Sequence, residues 1–184
     1  MAYGPHASGP PEPAPDAASP EAAGPEATVP SDWVTTVDAV FPHHANPVGT
    51  LFGGRAMELM DVNASIACNR FCRRIAVTAS SEPVDFRNPV RVGDILEVRS
   101  RVAWVGTTSM IVRCEVRSEN PVSGERRLTT VGHMNFVAVD EDGAPVRVPR
   151  LAVRDEEEER HWRIGRNVRE AILRRRAEEA AADA

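Results

Sequence analysis

The chain has 184 residues, 22 basic and 27 acidic side chains, a formal net charge of -5 and 42% hydrophobic residues, which predicts one domain with one sizeable core. The longest uncharged stretch, residues 39–54, is shorter than the roughly 18 apolar residues that cross a membrane, so we expect no membrane association. The mild acidity argues against nucleic acid as a partner. The first 30 residues lack the basic and apolar regions of a secretory signal, and three cysteines are typical of a reducing compartment, so we expect a cytoplasmic protein.

The N-terminal residues 1–31 are predicted to form a disordered tail. Prolines and alanines dominate this stretch, which holds acidic residues but neither Lys nor Arg. A segment of this composition buries too little apolar surface to offset the entropy that ordering costs. The globular pattern begins at Trp33, and we place the single domain at residues 32–152.

The first elements predicted in the domain are a strand over residues 33–41 and one long central helix. Between them lies a loop rich in Pro, His and Asn, residues 42–49. From Gly54 to Cys72, Ala, Met, Leu and Ile recur at helical spacing with no Pro. The helix face predicted to meet a sheet comprises Ala56, Met57, Met60, Ala64, Ala67, Cys68 and Phe71.

From Ile75 onward the periodicity changes to two, which is typical of half-buried antiparallel strands. Turns are predicted at residues 105–108 and 120–125, and a further strand at residues 128–139. The residues expected on one strand face are Leu96, Val98, Ser100, Val102 and Trp104. The order of one strand, one long helix and about four strands predicts an α+β fold, with a sheet laid on a single helix.

Residues 153–184 are predicted to form a charged C-terminal helix. Acidic residues occupy 155–159 and arginines follow over 160–176, the order that the helix dipole favours. Ile164, Val168 and Ile172 form only a narrow apolar stripe. We therefore expect this helix to pack lightly on its own domain or on a neighbouring subunit.

Asp61 falls at the edge of the predicted buried face of the central helix, between Cys68 and Cys72. Taking a carboxylate out of water without partners costs free energy or raises its pKa. A carboxylate at such a position is therefore usually either paired with another side chain or used in the function of the protein. A catalytic role for Asp61 is therefore one hypothesis. The alternative is that Asp61 pairs with Arg70 or Arg87, or is simply exposed.

The start of the same helix provides a second candidate element. Without Cβ atoms at Gly53 and Gly54, a ligand oxygen can approach the free N–H groups at the positive end of the helix dipole, as in an oxyanion hole. Close packing of the loop on a strand would also require glycine. Asn46 and His44 lie in the loop just before this helix, and either can hold a carbonyl group or a water molecule.

Several motifs occur in order, with their spacing kept, over roughly residues 35–151. They are residues 44–54 (HANPVGTLFGG), 60–61 (MD), 77–80 (VTAS), 84–90 (VDFRNPV), 93–94 (GD), 105–110 (VGTTSM) and 135–140 (NFVAVD). Together they resemble the hotdog-fold acyl-CoA thioesterases, specifically the acyl-CoA hydrolase branch that includes bacterial short- and medium-chain enzymes and the brain acyl-CoA hydrolase. The disordered tail and the Arg-rich last helix depart from the simplest members.

This resemblance implies a hotdog fold, an antiparallel sheet wrapped around the central helix, and protomers joined edge to edge. It also implies active sites at the dimer interface, with Asp61 as the catalytic carboxylate and Asn46 as the second polar residue, contributed from opposite subunits. Members of this branch often form trimers of dimers. The residues predicted to bind coenzyme A are Gly106, Thr107, Thr108, Ser109 and Arg87.

The chemistry expected of such a site is hydrolysis of acyl-CoA to a fatty acid and coenzyme A. Asp61 would act as general base on water, Asn46 would orient the water or the carbonyl, and the N–H groups of Gly53 and Gly54 would stabilise the oxyanion. Alternatively, Asp61 attacks directly and forms a mixed anhydride. No cofactor is expected, because coenzyme A is part of the substrate.

Other functions and sites are less favoured by the sequence. A hotdog module that binds acyl-CoA without turnover is the main alternative, although a pure binder does not need Asp61 and Asn46. No metal site is predicted: Cys68 and Cys72 have the spacing of a ligand pair, but no further ligands lie near them, and they are expected to pack in the core. No Cys or Ser nucleophile with a neighbouring base is evident.

Overall fold

The computed structural model describes Gly24 and residues 26–183. Their helices and strands are β1 Thr28–Val29, β2 Val34–Ala39, α1 Gly53–Cys72, β3 Ile75–Ser81, β4 Ile95–Val105, β5 Ser109–Glu119, β6 Arg126–Val139, β7 Arg150–Leu151 and α2 Glu156–Ala182. A short 3-10 helix, Pro42–His44, precedes α1. The predicted α+β architecture, with one long central helix, an antiparallel sheet and a C-terminal helix, is confirmed.

The main sheet has the strand order β2-β4-β5-β6-β3, and each neighbouring pair is antiparallel. This order leaves β2 and β3 as its two edges. Alternate side chains of β4, β5 and β6 meet α1 in one hydrophobic core, as the period of two predicts. Gly132 of β6 lies directly under the helix, because a Cβ atom there would come within 2.5 Å of the Met60 methyl group.

The predicted buried face of α1 is largely correct. Met60, Ala64 and Cys68 are almost fully buried against the sheet. Met57 is exposed, so its prediction was wrong: the first turns of α1 are only partly covered, and Ala56 is the one residue buried there. Asn63 is fully buried instead and donates a hydrogen bond of 3.2 Å to Thr36 Oγ1 of β2.

Trp104 lies on the opposite face of the sheet from the one predicted. The pairing of β4 with β5 shifts between Val102 and Trp104, and a β-bulge of this kind reverses the alternation of side chains beyond it. Trp104 consequently packs against Gly165 of α2, where a Cβ atom would come within 2.8 Å of the Trp104 Cβ.

Part of the predicted tail, residues 1–31, lies in a strand. Strand β1 pairs in parallel with β7, and the Val102 N–H donates a 2.9 Å hydrogen bond to Ser31 Oγ. These long-range bonds order the segment despite its composition, so the prediction of disorder was wrong for residues 28–31. Residues 1–23 and 25 of the predicted tail lie outside the described residues.

Helix α2 crosses the outer face of the sheet, the face turned away from α1. Near its start, Glu158 lies 3.4 Å from the Arg101 guanidinium of β4. Near its other end, Arg175 makes a 2.9 Å ion pair with Glu82, just after β3. The helix therefore packs on its own domain. No helix in the described part of the chain is long and apolar enough to span a membrane.

A network of charged side chains lies on this outer face. Glu115 of β5 is almost fully buried and forms ion pairs with Arg99 at 2.7 Å and with Arg113 and Arg117 at 3.0 Å. Burial alone would raise the pKa of Glu115, but the hydrogen bonds from these three guanidinium groups outweigh it and lower the pKa to about 2. The carboxylate is therefore ionised at neutral pH and saturated with partners.

Candidate active site

The start of α1 presents backbone N–H groups without a cap. Phe52 occupies the N-cap position and has no capping side-chain hydrogen bond, and the first N–H groups of a helix have no acceptor within the helix. A Cβ atom on Gly54 would lie 3.2 Å from the Phe52 ring, so any other residue here would displace that ring. The N–H groups of Gly53 and Gly54 point along the positive end of the helix dipole, as an oxyanion hole requires.

Asn46 organises the loop that precedes this helix. Its Oδ1 accepts hydrogen bonds from the N–H groups of Val48, at 3.1 Å, and Thr50, at 3.2 Å, while its Nδ2 donates to Thr50 Oγ1 at 2.9 Å. Because an amide NH2 carries two donors, one N–H of Asn46 remains for a ligand. His44 is used differently, since its Nδ1 accepts from the Phe41 N–H at 3.3 Å.

A pocket of about 260 Å³ lies beside the helix start. Its walls combine apolar and polar side chains: Asn46, Thr50, Leu51, Gly53, Ala56, Phe86, Asn88, Pro89, Val90 and Thr129. Asn46 and Gly53 thus line the same pocket. Phe86 and Thr129 reach the pocket from a distant loop and from β6. Phe86 belongs to the 84–90 motif, whereas no sequence pattern pointed to Thr129.

Asp61 lies eight residues further along α1, at the edge of the sheet. It is half-buried, and its Oδ1 accepts a 2.6 Å hydrogen bond from Thr78 Oγ1 of β3. Asp61 has no ion pair within the described residues, and the suggested pairing with Arg70 or Arg87 is not found. The second carboxylate oxygen is therefore not held by any side chain of this part of the protomer.

The two halves of the predicted catalytic site are separated within one chain. At about 1.5 Å per residue, Asp61 is roughly 12 Å along α1 from Gly53. A thioester carbonyl bound at the N–H groups of Gly53 would thus lie out of hydrogen-bond reach of a water molecule activated by Asp61 of the same protomer.

The residues predicted to bind coenzyme A also fall at two places. Thr107 and Thr108 accept hydrogen bonds from the N–H groups of Val148 and Ala138, at 3.0 Å each, beside the end of β6. Arg87 instead donates its N–H to the Thr129 carbonyl at 2.9 Å, beside the start of β6. A single protomer therefore holds Arg87 near its Gly53 pocket and the 106–109 loop near the opposite end of the sheet.

The cysteines are buried, as the sequence suggested. Cys68, Cys72 and Cys114 are free thiols in the core of the described chain. Burial, which is the largest cause, and the nearby Asp61 charge together raise the pKa of Cys114 to about 12. The thiol stays protonated at neutral pH, which makes it a poor nucleophile. Within residues 26–183, no three His, Cys, Asp or Glu side chains are gathered as a metal site would need.

The hydrogen bond between Thr78 and Asp61 was not predicted from the sequence. Thr78 belongs to the 77–80 motif, but nothing in the period of β3 identifies it as the partner of Asp61. The contact depends on how β3 lies beside α1, which is fixed by the pairing of β3 with β6. The motif itself was the available signal, since it contains a hydroxyl residue at a fixed interval after Asp61.

Comparison with protein families and curated proteins gives one consistent result. A family model described as the thioesterase superfamily matches residues 48–125. A Bacillus subtilis protein, named as the uncharacterized acyl-CoA thioester hydrolase YkhA, is 45% identical over 125 residues, which make up 68% of this chain and 73% of the relative.

Solved structures agree. An acyl-CoA hydrolase from Bacillus cereus has a TM-score of 0.80 and 39% identity, covering 85% of this chain and 96% of that one. An acyl-CoA thioesterase solved as an apo-hexamer has a TM-score of 0.79 and 35% identity, with coverages of 82% and 98%. An acyl-CoA hydrolase from Staphylococcus aureus, solved with butyryl coenzyme A and coenzyme A, has a TM-score of 0.77 and 30% identity, with coverages of 83% and 93%.

Proposed function

This chain belongs to the thioesterase superfamily as an acyl-CoA thioester hydrolase with the hotdog fold, and we propose that it cleaves its substrate at a site shared by two protomers. In this proposal one protomer supplies Asp61 and Thr78, and the other supplies Asn46 and the start of α1. The substrate is an acyl-CoA ester, the products are the free acid and coenzyme A, and no cofactor takes part.

The observation that carries the shared site is the gap of roughly 12 Å between Asp61 and the N–H groups at Gly53. General base and oxyanion donors must flank the same carbonyl carbon. A rigid helix cannot fold back to close this distance, so a second copy must supply the missing half.

The edge strand β3 is the surface that supports such pairing. Only one of its sides is bonded within the described chain, to β6, and Ile75 and Val77 are 61% and 46% exposed. An exposed edge with apolar side chains favours pairing with another strand. Antiparallel pairing of two β3 strands would bring Asp61 of one protomer towards the other, and the hexameric relative supports self-association.

Three structures of alanine variants of the Staphylococcus aureus enzyme support the choice of residues. The residues replaced there are an asparagine, an aspartate and a threonine, and the intervals between them equal those between Asn46, Asp61 and Thr78 in this chain. The same three side chains are those that the contacts of this protomer single out.

The reaction follows from these groups. Thr78 holds Oδ1 of Asp61, which leaves Oδ2 to take a proton from water while the water oxygen attacks the thioester carbon. The N–H groups of Gly53 and Gly54 stabilise the negative charge on the carbonyl oxygen, and the free N–H of Asn46 orients that oxygen or the water. The carbonyl then re-forms as the C–S bond breaks, and the proton held by Asp61 passes to the leaving coenzyme A thiolate.

The test is thiol release from acyl-CoA esters, from acetyl to palmitoyl, by the wild type, Asp61→Asn and Glu58→Gln. Glu58 is an exposed acid on the same helix, paired with Arg55 at 2.9 Å, and serves as the matched control. We expect Asp61→Asn to lose about 100- to 10,000-fold in kcat, the usual range for a general base, and Glu58→Gln to stay within about twofold of wild type. A wild type that binds the esters without releasing thiol would be a binding module, and the proposal would fail.

A further inference from the structure

We infer that the pocket beside the start of α1 selects short acyl groups that carry a hydroxyl group, with Thr129 as the residue that recognises this hydroxyl. The substrates expected from it are coenzyme A esters of short hydroxy acids. This inference rests on the proposed function, and it names the acyl class for that site.

The side chain of Thr129 is the observation that carries the inference. Thr129 lines the pocket and is only 2% exposed, and its Oγ1 has no hydrogen-bond partner among the described residues. The next residue, Thr130, is equally buried, but its hydroxyl group donates a 2.6 Å hydrogen bond to the Asp85 carbonyl. A buried hydroxyl group without a partner costs free energy, so the Thr129 hydroxyl is suited to a polar group that the substrate brings.

A β-bulge in β6 explains how Thr129 comes to line the pocket. Gly132 of β6 faces α1, so regular alternation would turn Thr129, three residues earlier, to the opposite face of the sheet. Leu128 and Thr130 pair with consecutive residues of β5, which leaves Thr129 as the extra residue of a bulge. The Thr129 carbonyl accepts a 2.9 Å hydrogen bond from the Arg87 N–H, which holds the bulge in place. The bulge thereby directs the side chain to the α1 side of the sheet.

The acyl group is the part of the substrate that fits the pocket. The pocket of about 260 Å³ has the volume of about nine water molecules at roughly 30 Å³ each, which is enough for a short acyl group and far too small for coenzyme A. Leu51, Ala56 and Val90 give it apolar walls that suit a carbon chain. Gly53, whose N–H group holds the thioester carbonyl in the proposed reaction, is also part of the wall. The acyl group therefore extends from Gly53 into the pocket, and coenzyme A leads outward.

The size of the pocket indicates where on the chain the hydroxyl group lies. A sphere of 260 Å³ is about 8 Å across, and an extended chain advances about 1.3 Å per bond, so about six bonds cross the pocket. A hydroxyl group on carbons 3 to 5 of the acyl chain therefore comes within hydrogen-bonding distance of the far wall.

Asn88 supplies a second polar group on the same wall. Its Nδ2 donates a 2.9 Å hydrogen bond to the Leu128 carbonyl, which leaves one N–H and the Oδ1 atom for a ligand. A substrate hydroxyl group both donates and accepts, so it can pair with the Thr129 hydroxyl and with the Asn88 amide. A plain hydrocarbon chain would leave both groups without a partner.

The experiment compares three esters of equal chain length: hexanoyl-CoA, 3-hydroxyhexanoyl-CoA and 5-hydroxyhexanoyl-CoA. The test variant is Thr129→Val, which keeps the shape of the side chain and removes its hydroxyl group, whereas Thr129→Ser keeps the hydroxyl. The matched control is Thr130→Val, which removes the neighbouring hydroxyl that is already bonded to Asp85. The measurements are kcat and KM for each ester and the midpoint temperature of unfolding for each protein.

We expect the wild type to cleave one of the hydroxy esters with a kcat/KM about 10- to 100-fold above that for hexanoyl-CoA, the gain from pairing a buried polar group. Thr129→Val should bring the two values within about twofold of each other, and Thr129→Ser should retain most of the preference. Thr129→Val should also unfold at a higher temperature than the wild type, because it removes a buried hydroxyl that has no partner in the described chain. Thr130→Val should unfold at a lower temperature and keep the wild-type preference.

Other results would overturn the inference while leaving the hydrolase intact. If the wild type cleaves hexanoyl-CoA as efficiently as both hydroxy esters, the substrate does not pair with the Thr129 hydroxyl. If Thr129→Val lowers kcat/KM for all three esters by the same factor, or if Thr130→Val changes the preference as strongly, Thr129 acts on the fold and not on the acyl group. A wild type that cleaves none of the esters would refute the proposed function itself, which is a distinct outcome.

Discussion

Two buried or half-buried carboxylates, Glu115 on the outer face of the sheet and Asp61 on the helix face, are treated very differently by the structure. Glu115 is held by three guanidinium groups at 2.7 to 3.0 Å. Asp61 has one hydroxyl partner and no counter-ion within the described residues. A carboxylate that stabilises the fold has all of its hydrogen-bonding positions filled by protein groups, whereas a carboxylate that acts on a substrate keeps some of them free.

Removing the charge of Glu115 should have the largest effect on stability. Glu115→Gln leaves Arg99, Arg113 and Arg117 facing one another without a carboxylate, and loss of one partner from a buried ion pair costs about 3 kcal/mol or more. We expect the free energy of unfolding, measured by urea titration, to fall by about that amount, while kcat of the folded enzyme is unchanged. Glu125→Gln, which removes an exposed partner of Arg127, should cost less than about 1 kcal/mol. Equal losses of unfolding free energy in Glu115→Gln and Glu125→Gln would show that the buried ion pairs of Glu115 stabilise the fold no more than an exposed pair does.

A second test uses pH, since His133 lies on the same outer face. Burial first, and then the Arg113 and His161 charges, lower the pKa of His133 to about 4 from the ordinary 6.5. The unfolded chain therefore binds more protons than the folded one between these two values, so stability is complete above pH 6.5 and falls as the pH drops towards 4. At 1.36 kcal/mol per pKa unit, the loss from His133 is about 3 kcal/mol. Urea titrations of the wild type and His133→Gln from pH 7 to pH 4 should show that the free energy of unfolding declines less steeply in the variant. Parallel declines in the two proteins would show that His133 does not contribute to the pH dependence.

The smallest change in free energy is expected for a substitution of Thr78, where a single hydrogen bond is lost. Thr78→Val keeps the shape of the side chain but removes the 2.6 Å hydrogen bond that orients Asp61. Because a net hydrogen bond is worth about 1 kcal/mol and that to a charged group somewhat more, kcat should fall about 10-fold, with the free energy of unfolding within about 1 kcal/mol of wild type. Thr35→Val, on the edge strand β2, is a matched control and should keep full activity. A fully active Thr78→Val would mean that Asp61 is oriented by other groups.

The sequence predicted the positions of the helices and strands better than it predicted which of their side chains face the core. Helical spacing located α1 to its last residue, Cys72, and alternation located β4 to β6, because both patterns are local. Trp104 was placed on the wrong face because a bulge beside it depends on the partner strand. Residues 28–31 were placed in the tail because composition does not report a bond such as that from Val102 to Ser31.

The candidate site shows the same division. Asp61, Asn46 and the glycine pair were singled out by residue type, helix position and motif resemblance. The separation of Asp61 from Gly53, roughly 12 Å, follows from eight residues of helical rise. The bond from Thr78 to Asp61 follows instead from the packing of β3 beside α1, which no local pattern specifies.

The central claim, that each active site takes groups from two protomers, is tested most directly by mixing two inactive variants. Asn46→Ala lacks the residue of one half-site and Asp61→Ala that of the other, so each homodimer has two defective sites. A mixed dimer that carries one copy of each has one site with both Asn46 and Asp61 intact. Co-expression with two affinity tags and purification of the mixed species should restore about half of the wild-type kcat per dimer. Activity no higher than that of the two parent variants would contradict the shared site.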